Sequence, residues 1–244
     1  MRYYLCIDDT DNKETKGTGW LAEQVCNEMT ARGMGSFSYI SRHQLYVHED
    51  VPYTSHNSSM CVTVDDCSSP QAIIEHVQHF LETKAAPGSD PGLCLVAEDI
   101  AAEAREKLIR FGEDAKCTVL NKGLAYGLAR ELDVHLTEHG GTGDGVVGAL
   151  AGVGLRMMGN DGRYRGWHHL GPEDTPMAAS EIARLCAAHH VEDESGNRLD
   201  DDVPVLLRER IKRIRRGGHA VLLATAEIQG GPMQLLPKEA LKAY

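Results

Sequence analysis

Short apolar runs alternate with longer stretches of helical periodicity along most of this chain. Residues 3–7, Tyr-Tyr-Leu-Cys-Ile, end abruptly in Asp8 and Asp9 and read as a buried strand. After a polar loop over residues 8–17, Leu21, Val25 and Met29 recur every four residues, so a helix is expected over residues 19–32, stopped by Gly33. Strands are expected over residues 37–47, 60–64 and 93–97. Between the last two, Ser69 and Pro70 supply a cap and a first-turn proline for a helix bearing Ile73, Ile74, Val77, Phe80 and Leu81. Further helices are expected over residues 100–109, 121–132 and 146–157, and a strand over 163–170. Thr175-Pro176 reads as the start of a helix reaching His189, residues 194–197 as a turn, residues 204–216 as a helix stopped by Gly217-Gly218, and 220–228 as a closing strand. The alternation argues an α/β or mixed α+β fold, a sheet with flanking helices.

The chain has 244 residues, 42% apolar and 25% charged, enough for one large domain or two modest ones. No apolar stretch is long enough to span a bilayer as a helix, and the N-terminus lacks the pattern of a secretion signal. With 36 acids against 25 bases the net charge is -11, which disfavours unspecific coating of nucleic acid. Seven cysteines without a CxxC pair argue against a disulfide framework and a zinc ribbon. Cys6, Cys94 and Cys117 lie in apolar runs and read as small buried hydrophobes. Together these features describe a soluble cytoplasmic protein.

Three constellations carry candidate chemistry. Asp8, Asp9 and Asp11 place three carboxylates within four residues directly after a strand. Their mutual repulsion is relieved either by solvent, as in an ordinary acidic turn, or by a hard cation such as Mg²⁺, which takes oxygen ligands and keeps waters and substrate phosphates. Lys16-Gly17-Thr18-Gly19 opens the following helix, where unpaired amides, a hydroxyl and a lysine suit a phosphate. Gly143-Asp144-Gly145, at the end of a glycine-dense run, opens another helix in the same way. Each glycine loop alone reads equally as a tight turn; with the acidic triplet they outline a Mg·nucleotide site.

Residues 7–12, Ile-Asp-Asp-Thr-Asp-Asn, with Thr18 seven residues after Asp11, resemble the N-terminal signature of the archaeal tRNA-isoleucine agmatinylcytidine synthetases (TiaS). Val51-Pro52-Tyr53, Asp90-Pro91-Gly92 and residues 143–151 resemble three further blocks of that family, in the same order. The resemblance implies a kinase-like domain over residues 1–158, followed by a smaller α+β region over 159–244. In the family this domain uses Mg·ATP to activate a cytidine of tRNA and to phosphorylate its own threonine. Carried over, Asp8, Asp9 and Asp11 would hold Mg²⁺, Thr18 would accept phosphate, and Lys16, Gly17, Gly19, Gly143, Asp144 and Gly145 would line ATP. His56 and Asn57 fall in a loop that the family uses near its site, which implies substrate contact. The family's Arg in the later glycine loop is Asp144 here, and its zinc-ribbon cysteines have no counterpart.

Two other groups have less specific readings. Arg208, Arg210, Lys212, Arg213, Arg215 and Arg216 put six bases into nine residues of an expected helix, either an RNA-binding face or a solvated one. His135 and His139, four apart, would share a helix face if that segment were helical, without forming any recognised metal-binding frame. The function expected is Mg-dependent, ATP-binding phosphoryl transfer to Thr18 or to a nucleoside or small-molecule hydroxyl. The alternative is a non-catalytic nucleotide-binding module or an accessory protein of RNA modification.

Overall fold

The opening apolar run forms β1, Tyr3–Asp8. Alternate side chains of a strand point to opposite faces, and both faces of β1 are covered: Leu5 and Ile7 enter one buried cluster, Tyr4 and Cys6 another. The computed structural model describes residues 1–49, 51, 57–67, 69–226 and 231–244. Their contacts divide the chain into two units, Met1–Met158 and Gly159–Tyr244.

The first unit continues with α1 (Thr18–Ala31), β2 (Ser36–Phe37), β3 (Ser41–Gln44), β4 (Ser58–Asp65), α2 (Pro70–Lys84) and β5 (Gly92–Ala97). It ends with α3 (Ala102–Asp114), α4 (Lys122–Leu132), β6 (His135–Glu138) and α5 (Gly145–Met158). Its strands lie in the order β6-β5-β1-β4-β3, with β2 also on β4, and these pairs are antiparallel. Leu21, Val25 and Met29 of α1 and Ile73, Val77, Phe80 and Leu81 of α2 fill one face of the sheet. Helices α3, α4 and α5 fill the other. Ser69 caps α2 by accepting from the Ala72 amide at 3.2 Å, and Asn121 caps α4 by accepting from Leu124 at 3.1 Å. Helix α5 is buried nearly all round, as its continuous apolar composition requires.

The second unit comprises β7 (Arg163–Tyr164), β8 (Pro176–Ala178), α6 (Ala179–Leu185), β9 (His190–Asp193), β10 (Pro204–Leu206), β11 (Ile214–Arg216), β12 (His219–Ala226) and β13 (Met233–Leu235). The strand order is β7-β11-β12-β13-β10-β8, with β9 parallel to β12. Ile182, Val191, Val205, Leu207, Leu222 and Leu235 are among its core residues.

The sheet with flanking helices is as expected, and several segments differ. The expected helix over 204–216 is instead β10, a loop and β11. Gly217 and Gly218, both at positive φ, make the two-residue hairpin turn that pairs Arg216 with His219, where the sequence suggested a helix stop. The segment after Thr175 starts with β8, leaving only the short α6. The strand expected over 163–170 is β7 and a single bridge between His168 and Ile211. The one expected over 37–47 is broken into β2 and β3. Strand β6 was not expected at all; it places His135, Thr137 and His139 on one side, with both imidazole Nε2 atoms on Thr137 Oγ1 at 3.1 and 2.8 Å. Cys117 is exposed, whereas the other six cysteines are buried. No described helix is long and apolar enough to cross a membrane.

Candidate active site

The acidic loop leaves the sheet from its central strand. Asp8 closes β1, and its carboxyl lies under the first turn of α5, where a Cβ on Gly148 would overlap Asp8 Oδ2. Only glycine lets the helix backbone approach this closely. Burial, then the neighbouring Asp9 charge, pushes the Asp8 carboxyl up to about 8. Asp9 follows in a left-handed conformation, φ +49°. Burial and the charges of Asp90, Asp11 and Asp144, in that order, push its carboxyl up to about 6. The triplet is therefore joined by two more carboxylates, Asp90 after α2 and Asp144 before α5.

Asp11 turns back onto α1. Its Oδ1 accepts from the Thr18 amide at 3.2 Å and from the Thr18 hydroxyl at 2.7 Å. The Thr10 amide in turn donates to Thr18 Oγ1 at 3.3 Å. Thr18 is buried, and so is Thr10, whose own hydroxyl finds no hydrogen-bond partner among the described residues. Asn12 shapes the turn between them, its side-chain oxygen accepting from the amides of Glu14 and Thr15 at 3.0 and 3.1 Å. Gly17 is the N-cap of α1 and supplies no capping side chain, and Gly19 is buried in the first turn. Lys16 stacks its ammonium 4.6 Å from the Trp20 ring centroid.

The second glycine loop meets the first at the same end of the sheet. A Cβ at Gly145 would overlap the Asp90 carbonyl oxygen and fall 3.2 Å from that of Asp8; one at Gly143 would overlap Glu138 Oε2. Asp144 accepts from the Thr142 hydroxyl at 3.0 Å. Asp90 accepts from the Thr142 amide and, at 3.2 Å, from the Gly143 amide. Asp90 and Glu138 border the candidate site, a place that reading by motif did not assign to them. The signal for Asp90 was its place in the Asp-Pro-Gly block.

Among the described residues, no three His, Cys, Asp or Glu side chains converge tightly enough to cage an ion. Mg²⁺ is ordinarily held by one or two carboxylates, with waters and phosphates completing its shell. Oxygen donors that repel one another, beside an orphaned buried hydroxyl, fit such a cation.

Two further groups of expected contacts are the loop of His56 and Asn57 and the run of six bases. His56, with Pro52 and Tyr53, lies outside the described residues. Asn57 is engaged locally: its Nδ2 donates to the Tyr46 carbonyl at 2.6 Å, and its carbonyl accepts from Leu45 at 2.9 Å. The six bases line no helix, and five of them are tied to carbonyls or carboxylates. Arg213 is buried and donates to Ala187 O at 3.0 Å; Arg208 pairs with Glu173 and Asp174; Arg216 pairs with Glu192 at 3.2 Å. Lys212 donates to the carbonyls of Tyr164 and Gly166, Arg215 to that of Gly218, and Arg210 is exposed. A solvated basic helix face is thus replaced by cations that tie strands and turns together.

No protein-family model and no curated protein sequence matches the chain. Solved structures do. The structure of apo TiaS, an isoleucine-tRNA agmatidine synthetase, superimposes with a TM-score of 0.53 at 24% identity, over 63% of this chain and 35% of that one. A complex of TiaS with its tRNA and ATP gives 0.56 at 22% identity, over 75% and 43%. A tRNA fluorescent labeling enzyme gives 0.56 at 23%, over 74% and 42%. This chain thus spans less than half the length of the structures it matches, and its fold is TiaS-like.

Proposed function

We propose that this chain, with its TiaS-like fold, binds ATP with Mg²⁺ at the loop of Asp8, Asp9 and Asp11 and transfers phosphoryl to a hydroxyl. The observation that carries the reading is the crowding of Asp8 and Asp9, at about 8 and 6, beside a Thr18 hydroxyl that donates to Asp11 at 2.7 Å. One or two of Asp8, Asp9 and Asp11 would hold the cation, with waters and phosphate oxygens completing its shell. When bound, Mg²⁺ neutralises charge on the phosphate oxygens, the main requirement of phosphoryl transfer. Asp11 Oδ1 is placed to take the proton of Thr18 Oγ1, and the Thr10 amide fixes that oxygen's orientation. The acceptor is Thr18 itself or a nucleoside or small-molecule hydroxyl brought to the same carboxylate. Lys16, Gly17, Gly19, Gly143, Asp144 and Gly145 would border the nucleotide. The TiaS structure containing tRNA together with ATP supports tRNA modification as the setting for that chemistry.

Calorimetric titration with ATP, first in Mg²⁺ and then in EDTA, tests the reading. Binding that requires Mg²⁺ and is lost in Asp8→Ala is the expected result; no heat under either condition would sink it. A second reading, a nucleotide-binding module without turnover or an accessory protein of RNA modification, is favoured by the glycine-loop amides already held by Asp90. Mg·ATP binding without phosphate release or phosphothreonine at Thr18, with every candidate acceptor, would select it.

A further inference from the structure

The loop before α5 is built around one side chain. Asp90 Oδ1 accepts from the amides of Thr142 and Gly143, and the Asp90 carbonyl accepts from the Gly145 amide at 3.1 Å. The backbone is shaped to that carboxylate: a Cβ at Gly141 would overlap Asp90 Oδ1. Successive amides turned onto one oxygen are the means by which a glycine-rich loop grips a bound anion. Here the anion belongs to the chain itself.

A second observation is electrostatic. Asp90 is half-buried, and carboxylates crowd its loop. Asp144 accepts from the hydroxyl of the same Thr142 whose amide Asp90 holds, and Glu138 Oε2 lies where a Cβ of Gly143 would fall. The neighbouring cation is Lys122, with its Nζ on Glu138 and the Thr142 carbonyl. Each carboxylate added to such a cluster is repelled by the rest. What offsets the repulsion for Asp90 is the pair of amides. The same amides are the groups a phosphate would use, and a phosphate would meet the same repulsion.

Resting on the nucleotide reading above, we propose that Asp90 is an internal competitor for the phosphate chain. It occupies the Thr142 and Gly143 amides, and a polyphosphate engages the loop only by displacing it. Phosphate binding is thereby tied to a divalent cation, since a cation relieves the crowding of Asp90, Asp144 and Glu138 that an incoming phosphate would otherwise join. Asp90 is in this sense a specificity residue: it rejects free polyphosphate and admits the cation complex.

Inorganic tripolyphosphate, titrated calorimetrically in EDTA, reads the loop without nucleotide or turnover. Asp90→Asn keeps a side-chain oxygen for the amides and removes the charge; Asp90→Ala removes both. Each is expected to bind tripolyphosphate about tenfold or more tighter than wild type, the scale of one charge-assisted hydrogen bond. The amide resonances of Thr142 and Gly143 are expected to shift on binding. An Asp90 that merely braces the loop predicts the opposite sign, binding no better or worse in both variants, and that result overturns the proposal. If Asp90→Ala does not fold, Asp90→Asn, checked by its melting profile, decides alone. A gain for Asp90→Asn in a protein whose wild type takes no Mg·ATP would sustain the role of Asp90 and defeat the nucleotide reading. Mg·ATP binding by wild type with no gain in either variant would defeat Asp90's role alone.

Discussion

Asp8 is an acid held where an acid ionises poorly. Its carboxyl is raised to about 8 in the folded chain, against an ordinary value of 3.8, so the folded state binds a proton that the unfolded state has lost over that interval. Stability contributed by protonated Asp8 is therefore present at low pH and is lost as pH rises toward 8. The metal-free protein is expected to melt at progressively lower temperature from pH 5 to pH 8, with Asp9, at about 6, adding to the early part of the fall. Asp8→Asn should flatten this slope, as calorimetric melting across the range would show; an unchanged slope would mean that Asp8 is not the group titrating. Gly148 tests the same contact from the helix side. A methyl group there has no room beside Asp8 Oδ2, and Gly148→Ala should cost about 1–3 kcal/mol by denaturant unfolding, the usual range for overpacking. The acidic triplet and Thr18 could be read from the motif, because strand, carboxylates and helix start are contiguous in sequence. Asp90 could not be assigned a role that way, since the amides it holds are more than fifty residues away.

At the level of elements, local signals served best where they dominate the energetics. Ser69-Pro70 and Asn121 mark helix starts because capping involves residues three apart in sequence. The glycine pair at 217–218 shows the converse. Two glycines end a helix or turn a hairpin equally well, and the choice here falls to β12, whose edge pairs Ile214 with Val221. The turn requires positive φ at both positions, so Gly217→Ala and Gly218→Ala should each destabilise the second unit by about 1–2 kcal/mol. Equal melting of wild type and both variants would contradict the hairpin. The basic run illustrates the same limit: spacing suggested an outward helical stripe, whereas Arg213, in the loop just before β11, is buried and donates to Ala187 O.

At the scale of the molecule, each unit has apolar clusters of its own. Cys6, Leu108, Leu150 and Leu155, and on the other face Leu5, Met29, Ile73 and Leu81, belong to the first; Ile182, Val191, Leu207 and Leu222 belong to the second. We expect residues 1–158, expressed alone, to unfold in one cooperative transition and to give the same result as the whole chain when titrated with Mg·ATP. A fragment that exposes apolar surface to a hydrophobic dye, without a melting transition, would show that the site depends on residues 159–244. The candidate site itself is a product of the whole first unit. It needs the central position of β1 in an antiparallel sheet, α1 on one face and α5 on the other.

The sequence by itself determined the mixed α/β character, most helices of the first 158 residues, and the acidic loop with its threonine. Those properties follow from periodicity, capping and contiguous motifs, all of which act over a few residues. Only the tertiary structure decided that residues 204–206 and 214–216 pair as strands, that five of the six bases are tied to carbonyls or carboxylates, and that Asp90 fills the amides of a distant loop. Each depends on which segments meet in space. A backbone amide or a buried charge takes the partner that folding brings within about 3 Å, and sequence spacing carries no record of that meeting.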